Sequence, residues 1–223
     1  MVYMLLGTGF EETEAIAPLD LLRRAGVQVM TVGVNGKIVY GSHGIGIEAD
    51  ITLEEIEAIT PLDMLRRAGI QVMTVGVNGK TVYGGQGIGI EADILLDEID
   101  LTALDMIILP GGLGGVASVR ASKAAMDALA FAWENDKYVA AICAGPTVLA
   151  DLHITDGKNA TCYPGCEGGM GCAVVADNAA AVRDGKLITG TSAGCAIPFG
   201  LALISALKGE AAAKAIANQI VIR

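Results

Sequence analysis

A stretch of forty residues occurs twice, back to back, in this chain. Residues 11–50 (EETEAIAPLDLLRRAGVQVMTVGVNGKIVYGSHGIGIEAD) return as residues 54–93 (EEIEAITPLDMLRRAGIQVMTVGVNGKTVYGGQGIGIEAD) at a constant offset of 43, with seven positions differing. A stacked array needs about three repeats to bury each neighbour's face, and nothing after Asp100 continues the period, so a solenoid is excluded. The repeat therefore reads as one α-β-hairpin segment duplicated over 11–53 and 54–96 within a single domain spanning 1–223. Removing either copy leaves a continuous chain of 180 residues.

Both lengths suit one domain with a full core, which runs to roughly 50–250 residues. Apolar residues make up 52% of the chain and charged ones 18%, with 30 glycines. That balance fits a buried parallel sheet joined by tight turns better than a helical bundle. No apolar run approaches the roughly 18 residues of a membrane span, and the opening MVYMLLGTGFEE lacks the basic start and cleavage site of a secretion signal. A cytoplasmic location is expected. The formal charge of −10 and the lack of a basic patch argue against nucleic acid or membrane as partners. Five cysteines (Cys143, Cys162, Cys166, Cys172 and Cys195) form no regular framework and read as free thiols. Three of them lie in CYPGCEGGMGC, but the spacing is irregular and no histidine is near, so no metal site is expected.

Val2 to Leu6 reads as a first strand, followed through GTGFEETEA by a helix from Pro18 to Ala25 that stops at Gly26. Val27 to Val34 is a β-branched strand ended by Asn35-Gly36, a hairpin signal, with a return strand near Ile38 to Tyr40. The second copy repeats the helix at Pro61 to Ala68, the strand at Ile70 to Val77 and the turn at Asn78-Gly79. Asp105 to Leu109 is a buried strand running into Pro110-Gly111-Gly112. A helix from Ser122, a good N-cap, to Glu134 carries Met126, Leu129, Ala130 and Trp133 on one face. Tyr138 to Ile142 is a further strand. Later come a hairpin around Val174 and Leu187, a helix from Ala196 to Leu207, and a last segment, Ala211 to Arg223, helical at first. Strands alternating with helices imply a mostly parallel sheet covered on both faces, a flavodoxin-like three-layer sandwich. The loops GFEETE, PGG and CAG all fall at the carboxyl edge of such a sheet, where sites form.

Ala140-Ala141-Ile142-Cys143-Ala144-Gly145-Pro146 has the form of a nucleophile elbow, in which an apolar strand breaks at a thiol flanked by small residues and enters a helix. Small neighbours are needed because a side chain on so tight a turn crowds the backbone around it. The helix amino terminus is expected to lower the thiol pKa. The competing reading is a small buried cysteine between strand and helix.

The "LPGG" strand end, the "AAICAGP" elbow, the E-E-x-E loop after the first strand, P-x-D-x-L-R-R-A-G and the late F-G-L-A helix together resemble the DJ-1/ThiJ/PfpI superfamily. The resemblance covers almost the entire chain once the duplication is set aside. It implies that Cys143 is the reactive cysteine, that Glu14 hydrogen-bonds to it, and that Gly111, Gly112 and the Ala144 backbone supply amides to a developing oxyanion. It also implies a homodimer and chemistry without a cofactor. Where many members carry histidine in a T-x-H-P segment, this chain has Thr161-Cys162-Tyr163-Pro164, which makes Cys162 and Tyr163 lining candidates and puts a cysteine–histidine hydrolytic pair in doubt. His153 lies at the exit of the elbow helix. His43, replaced by Gln86 in the second copy, sits in a loop that in the resembled family approaches a partner's site, although a plain surface histidine is the simpler reading.

Gly190-Thr191-Ser192-Ala193-Gly194 satisfies G-x-S-x-G, but no histidine follows Ser192, so the segment reads as a glycine-rich turn, with Gly194 lining the cysteine site. Gly111-Gly112-Leu113-Gly114-Gly115 lacks dinucleotide spacing and opens no convincing helix. The repeat leaves two equivalent glutamates, since Glu57 duplicates Glu14. Only Glu14 follows a strand that would aim it at the cysteine, so Glu14 is favoured, with Glu57 taking its place if the first copy is displaced.

Three functions compete. The first is a cysteine-dependent enzyme acting on small reactive aldehydes, of the glyoxalase or deglycase type that the resemblance implies. The second is a redox-sensing or chaperone-like protein using Cys143 as an oxidisable thiol. The third, an amidase or peptidase, is weakened by the missing histidine.

Overall fold

Aliphatic and β-branched runs supply the strands, and the glycines between them supply the turns. The structure is a computed structural model and describes residues 2–34, 36–83, 89–176 and 178–221. Asn35 and Gln86, on which the first hairpin turn and the counterpart of His43 rest, lie outside the described residues. Where the sequence alone pointed to one domain, the chain divides into two compact units, Met1–Ile56 and Glu57–Arg223.

The first unit contains β1 (Val2–Leu6), α1 (Glu12–Arg24), β2 (Val29–Gly33), β3 (Ile38–Tyr40), β4 (Gly46–Glu48) and β5 (Ile51–Thr52). Its main sheet has the order β1-β2-β5, all parallel. The return strand expected near Ile38 to Tyr40 does not pair back onto β2. Instead β3 pairs antiparallel with β4, Ile38 facing Glu48, as a separate two-stranded ribbon. Helix α1 begins before Pro18, because the Glu11 carboxylate caps it by accepting from the Glu14 amide at 2.7 Å. One charged pin fastens helix to strand in this copy. Asp50 Oδ2 accepts from the amide and hydroxyl of Thr31, both at 2.7 Å, and from Arg23 Nη2 at 2.6 Å. Burial pushes the Asp50 pKa up, but the two Thr31 bonds and the Arg23 charge outweigh it and hold the carboxyl below its ordinary value.

The division between units falls within α2 (Leu53–Arg67), after Ile56. Beyond it come β6 (Val75–Gly76), β7 (Thr81–Tyr83), β8 (Gly89–Glu91) and β9 (Ile94–Leu95) of the second copy. The same pin recurs there. Asp93 Oδ2 accepts from the Thr74 amide at 2.7 Å, its hydroxyl at 2.8 Å and Arg66 Nη2 at 2.8 Å. The strand expected over Ile70 to Val77 is shorter than expected, however. Only Val75–Gly76 is paired, parallel to β9, and among the described residues no second strand pairs with it.

The rest of the unit is built on β10 (Met106–Leu109), α3 (Leu113–Ala121), α4 (Lys123–Glu134), β11 (Tyr138–Ile142), α5 (Pro146–Asp151), β12 (Asn159–Ala160), β13 (Val174–Val175), β14 (Ala181–Asp184), β15 (Leu187–Gly190), α6 (Ala196–Lys208) and α7 (Glu210–Gln219). The sheet order is β10-β11-β15-β14, with only β14 antiparallel. Helix α3 is a departure from the sequence reading, which left its glycine-rich start as loop. Val116 and Val119 are buried in the core, and that packing outweighs the poor helix propensity of Gly114 and Gly115. Ser122 caps α4 as expected, accepting from the Ala125 amide at 3.3 Å. The buried face of α4 is Ala125, Ala128, Leu129 and Ala132, with Met126 and Trp133 at its margin. The hairpin also differs. β15 pairs with β14 through an Asp184-Gly185 turn, Gly185 taking φ +65°, while Val174–Val175 pairs parallel with Asn159–Ala160. Val139 to Ile142 are fully buried, so β11 runs through the centre of the core and delivers Cys143 at its carboxyl end. No helix among the described residues is long and apolar enough to cross a membrane.

Candidate active site

Cys143 has φ +62°, a left-handed conformation that a non-glycine residue adopts only when its surroundings enforce it. The enforcement is visible on every side. The Cys143 amide donates to the Gly190 carbonyl at 2.9 Å, and its carbonyl accepts from the Tyr163 amide at 2.8 Å. The Gly145 amide donates back to the Ile142 carbonyl at 2.9 Å, closing the turn. A methyl group on Gly145 would stand 2.9 Å from the carbonyl oxygens of Ile142 and Leu109, so glycine is required where the elbow enters α5.

Below the elbow, the Thr147 hydroxyl donates to the Ala144 carbonyl at 2.7 Å and accepts from Arg120 Nη2 at 2.9 Å. Arg120 Nε in turn meets Asp151 at 2.6 Å. Arg120 comes from α3, so this brace was invisible while α3 read as loop. Thr147→Val keeps the shape and removes the hydroxyl, leaving the Ala144 carbonyl with the Thr147 amide alone, at 3.2 Å, and freeing one Arg120 N–H. A loss of about 0.5–1.5 kcal/mol is expected, read as a lower urea midpoint with an unchanged slope.

The carboxylate at the thiol is Glu57, not the favoured Glu14. Glu57 is 3% exposed, and its Oε2 accepts from the Gly111 amide at 3.1 Å. Glu14 lies in the first unit with its side chain exposed on α1. The expected preference rested on the strand preceding Glu14. What places Glu57 is the packing of α2 within the second unit, where Met64 and Leu65 are buried and Lys208 Nζ donates to the carbonyls of Ala68 at 2.8 Å and Gly69 at 3.1 Å. Gly111 permits the close approach. A Cβ there would fall against Glu57 Oε2 and stand 2.5 Å from Cys143 Cβ.

The Cys143 thiol is pushed up from 9.0 to about 12, first by burial, then by the Glu57 charge and a hydrogen bond with Glu57. The backbone amides of Ala144 and Gly112 act in the opposite direction and are outweighed. This reverses the expected lowering by the helix terminus. Helix α5 has six residues, too short for a strong dipole, and a carboxylate stands beside the sulfur. The amides of Gly112 and Ala144 nevertheless point at the sulfur, and Gly112 does so with φ +84°. Gly111 gives its amide to Glu57 instead of an oxyanion position.

The other candidates separate. Tyr163 touches the elbow through its backbone, while its side chain is half-exposed. Cys162 belongs to the core cluster, its thiol raised to about 11 by burial and then by the charges of Glu167 and Cys166. The Thr161 amide donates to Thr189 Oγ1 at 2.8 Å and its hydroxyl meets that of Thr191 at 2.8 Å, which ties this loop to β15. Gly194 is exposed in a turn over Ala193–Cys195, and Ser192 donates to Cys195 Sγ at 3.7 Å. His43 is exposed in the first unit, with Nδ1 3.2 Å from Ser42 Oγ. His153 is exposed after α5, with Nδ1 3.0 Å from Asp156. Among the described residues, no group of three or more His, Cys, Asp or Glu side chains is placed to hold a metal ion.

The DJ-1/PfpI family model matches the chain twice, over residues 1–57 and again over 52–206. DJ-1beta of Drosophila melanogaster is 34% identical over 98% of this chain and 95% of its own. The Parkinson disease protein 7 homolog of Danio rerio is 32% identical over 99% of this chain and 96% of its own. The crystal structure of Drosophila DJ-1beta superposes with a TM-score of 0.52 at 27% identity, covering 100% of this chain and 97% of that one. A DJ-1 superfamily protein from Salmonella typhimurium gives the same TM-score and identity over 100% and 98%. With its α/β, flavodoxin-like class and its cysteine elbow, the chain belongs to the DJ-1/PfpI family.

Proposed function

We propose that this protein is a cysteine-dependent enzyme acting on small reactive aldehydes, with Cys143 as nucleophile and Glu57 as its proton acceptor. The observation that carries the reading is the buried Glu57 carboxylate hydrogen-bonded to the thiol of a cysteine held at φ +62° on the elbow. Burial and the Glu57 charge hold this thiol protonated at neutral pH. Free thiolate is therefore scarce, and addition must be coupled to proton transfer. As sulfur bonds to the aldehyde carbon, the S–H proton passes to Glu57 and the carbonyl electrons move to oxygen. The Gly112 and Ala144 amides favour that negative charge, and the proton on Glu57 then neutralises it to give a hemithioacetal.

With a 2-oxoaldehyde the sequence closes without any oxidant. Glu57 removes the hydrogen of the sulfur-bearing carbon as a proton, the electron pair moving onto the neighbouring carbonyl to give an enediolate; the proton returns to the neighbouring carbon while the hydroxyl proton of the sulfur-bearing carbon passes to the neighbouring oxygen, leaving the thioester of a 2-hydroxy acid. Water hydrolyses the thioester, releasing a 2-hydroxy acid and restoring the thiol. One carbon is oxidised as its neighbour is reduced, so the redox change is internal and only water is consumed.

The test is conversion of methylglyoxal to lactate by the purified protein, with Cys143→Ala as the blank. Catalytic lactate formation that disappears in the variant is the expected result. Stoichiometric consumption without lactate would remove the enzymatic reading. If dilute peroxide instead oxidised Cys143 ahead of the exposed Cys172, the redox-sensing alternative would gain; the raised thiol pKa argues against that outcome.

A further inference from the structure

Two backbone amides face the Cys143 sulfur, and they come from different elements. The Ala144 amide belongs to the elbow that enters α5, whereas the Gly112 amide stands at the start of α3. Two donors stabilise one developing charge only if their separation is fixed beforehand. The elbow side is fixed, because the Cys143 carbonyl, in the same rigid peptide plane as the Ala144 amide, accepts from the Tyr163 amide at 2.8 Å.

Helix α3 is held less firmly by its own sequence. Gly112 has no side chain with which to cap it, Gly114 and Gly115 are exposed, and of its nine residues Val116 and Val119 are the buried ones. Those two valines decide which side turns inward, but apolar contact is non-directional and leaves sliding along the helix axis open. Arg120 supplies the direction. Gly112, Val116 and Arg120 follow at spacings of four and so lie along one side of the helix. From that side Arg120 Nη2 donates to Thr147 Oγ1 at 2.9 Å and Nε to Asp151 Oδ2 at 2.6 Å, both on α5. The Thr147 hydroxyl carries the connection on to the Ala144 carbonyl at 2.7 Å.

We propose that Arg120 is a positioning residue for the Cys143 site, clasping α3 to α5 so that the Gly112 and Ala144 amides stand at the separation the reaction needs. This rests on the reading of Cys143 as the reacting thiol. The planar fork of a guanidinium suits the task, since two acceptors in one plane fix both the height and the rotation of the helix that carries it. Stability is a poor explanation for the pair. The Arg120 and Asp151 side chains are 41% and 45% exposed, and an ion pair so open to water contributes little to folding.

The same two amides favour the thiolate, so their alignment can be read from the thiol without turnover. The experiment measures the iodoacetamide alkylation rate of Cys143 at one pH, from the mass of its peptide, with near-ultraviolet circular dichroism and the urea midpoint as checks of the fold. Arg120→Met keeps the apolar stem and removes both bonds, and it is expected to slow alkylation by about 3–10-fold with the urea midpoint almost unmoved. Arg120→Lys keeps the charge but loses the fork, and is expected to be slowed as well. Thr147→Val breaks the same line one bond further on, so the Arg120→Met/Thr147→Val chain should be no slower than Arg120→Met alone. With methylglyoxal, Arg120→Met should lower kcat by about 10–100-fold and leave KM within about two-fold. An unchanged alkylation rate in Arg120→Met, a rate in Arg120→Lys equal to that of the parent protein, or effects that multiply in the double variant would each overturn the clasp. Should Arg120→Met fail to fold, Arg120→Lys and Thr147→Val carry the same test. A parent protein that makes no lactate removes the enzymatic reading and leaves the alkylation result standing, so the two fall separately.

Discussion

Replacing Gly111 with alanine is expected to cut methylglyoxal turnover by at least about 100-fold in a protein that still folds. The added Cβ would lie against Glu57 Oε2, 2.5 Å from Cys143 Cβ and 2.9 Å from the Ile142 carbonyl oxygen. Two of those neighbours belong to the elbow, which the Gly190 and Tyr163 bonds hold fixed. The adjustment therefore falls on Glu57, and the 3.1 Å bond from the Gly111 amide is lost. A destabilisation of about 1–3 kcal/mol accompanies it. Near-ultraviolet circular dichroism would check the fold, and lactate formation the site. Turnover within a few-fold of the parent protein would mean that the Gly111–Glu57 contact does not position the proton acceptor.

Glu57→Gln is expected to move thiol reactivity and catalysis in opposite directions. The Cys143 thiol is raised to about 12 by burial, by the Glu57 charge and by its hydrogen bond with Glu57. Glutamine removes the charge and keeps the volume, so the iodoacetamide profile of Cys143 should shift to lower pH by about 1–2 units. Lactate formation should fall by about 10²–10⁴-fold because the proton acceptor is gone. The sign for stability follows from the raised value. Holding the thiol protonated favours the native state fully below its unfolded pKa near 9.0, and that contribution is lost as pH climbs to about 12. The substitution should narrow this alkaline window. An unmoved alkylation profile would show that the charge of Glu57 does not reach the sulfur.

The central strands and the elbow were legible because their signal is local. Tyr138–Ile142 is an uninterrupted apolar run bounded by Asp136-Lys137 and the Ala-Gly-Pro turn, and it forms the strand expected of it. Helix α3 was not legible, since Gly114 and Gly115 argue against a helix and only the burial of Val116 and Val119 decides for one. The choice between Glu14 and Glu57 failed for a related reason. A preceding strand is visible in sequence, whereas the contacts of Met64 with Gly200 and of Lys208 with Ala68 span well over a hundred residues and leave no local trace. The thiol pKa was misjudged because the length of α5 and the carboxylate next to the sulfur both depend on tertiary structure.

The Lys208 bonds to the end of α2 carry a consequence for the order in which the molecule comes into being. A nascent chain has β1, α1 and β2 in hand once residue 33 has emerged, and every pairing in that sheet is complete by Thr52. The surface that receives α2 requires Cys143, Gly200 and Lys208, so it does not exist until residue 208 has been made. The first unit therefore has the time taken to add Leu53 to Lys208 in which to fold on its own strands, and Glu57 is fastened beside the cysteine only after α6 has been delivered.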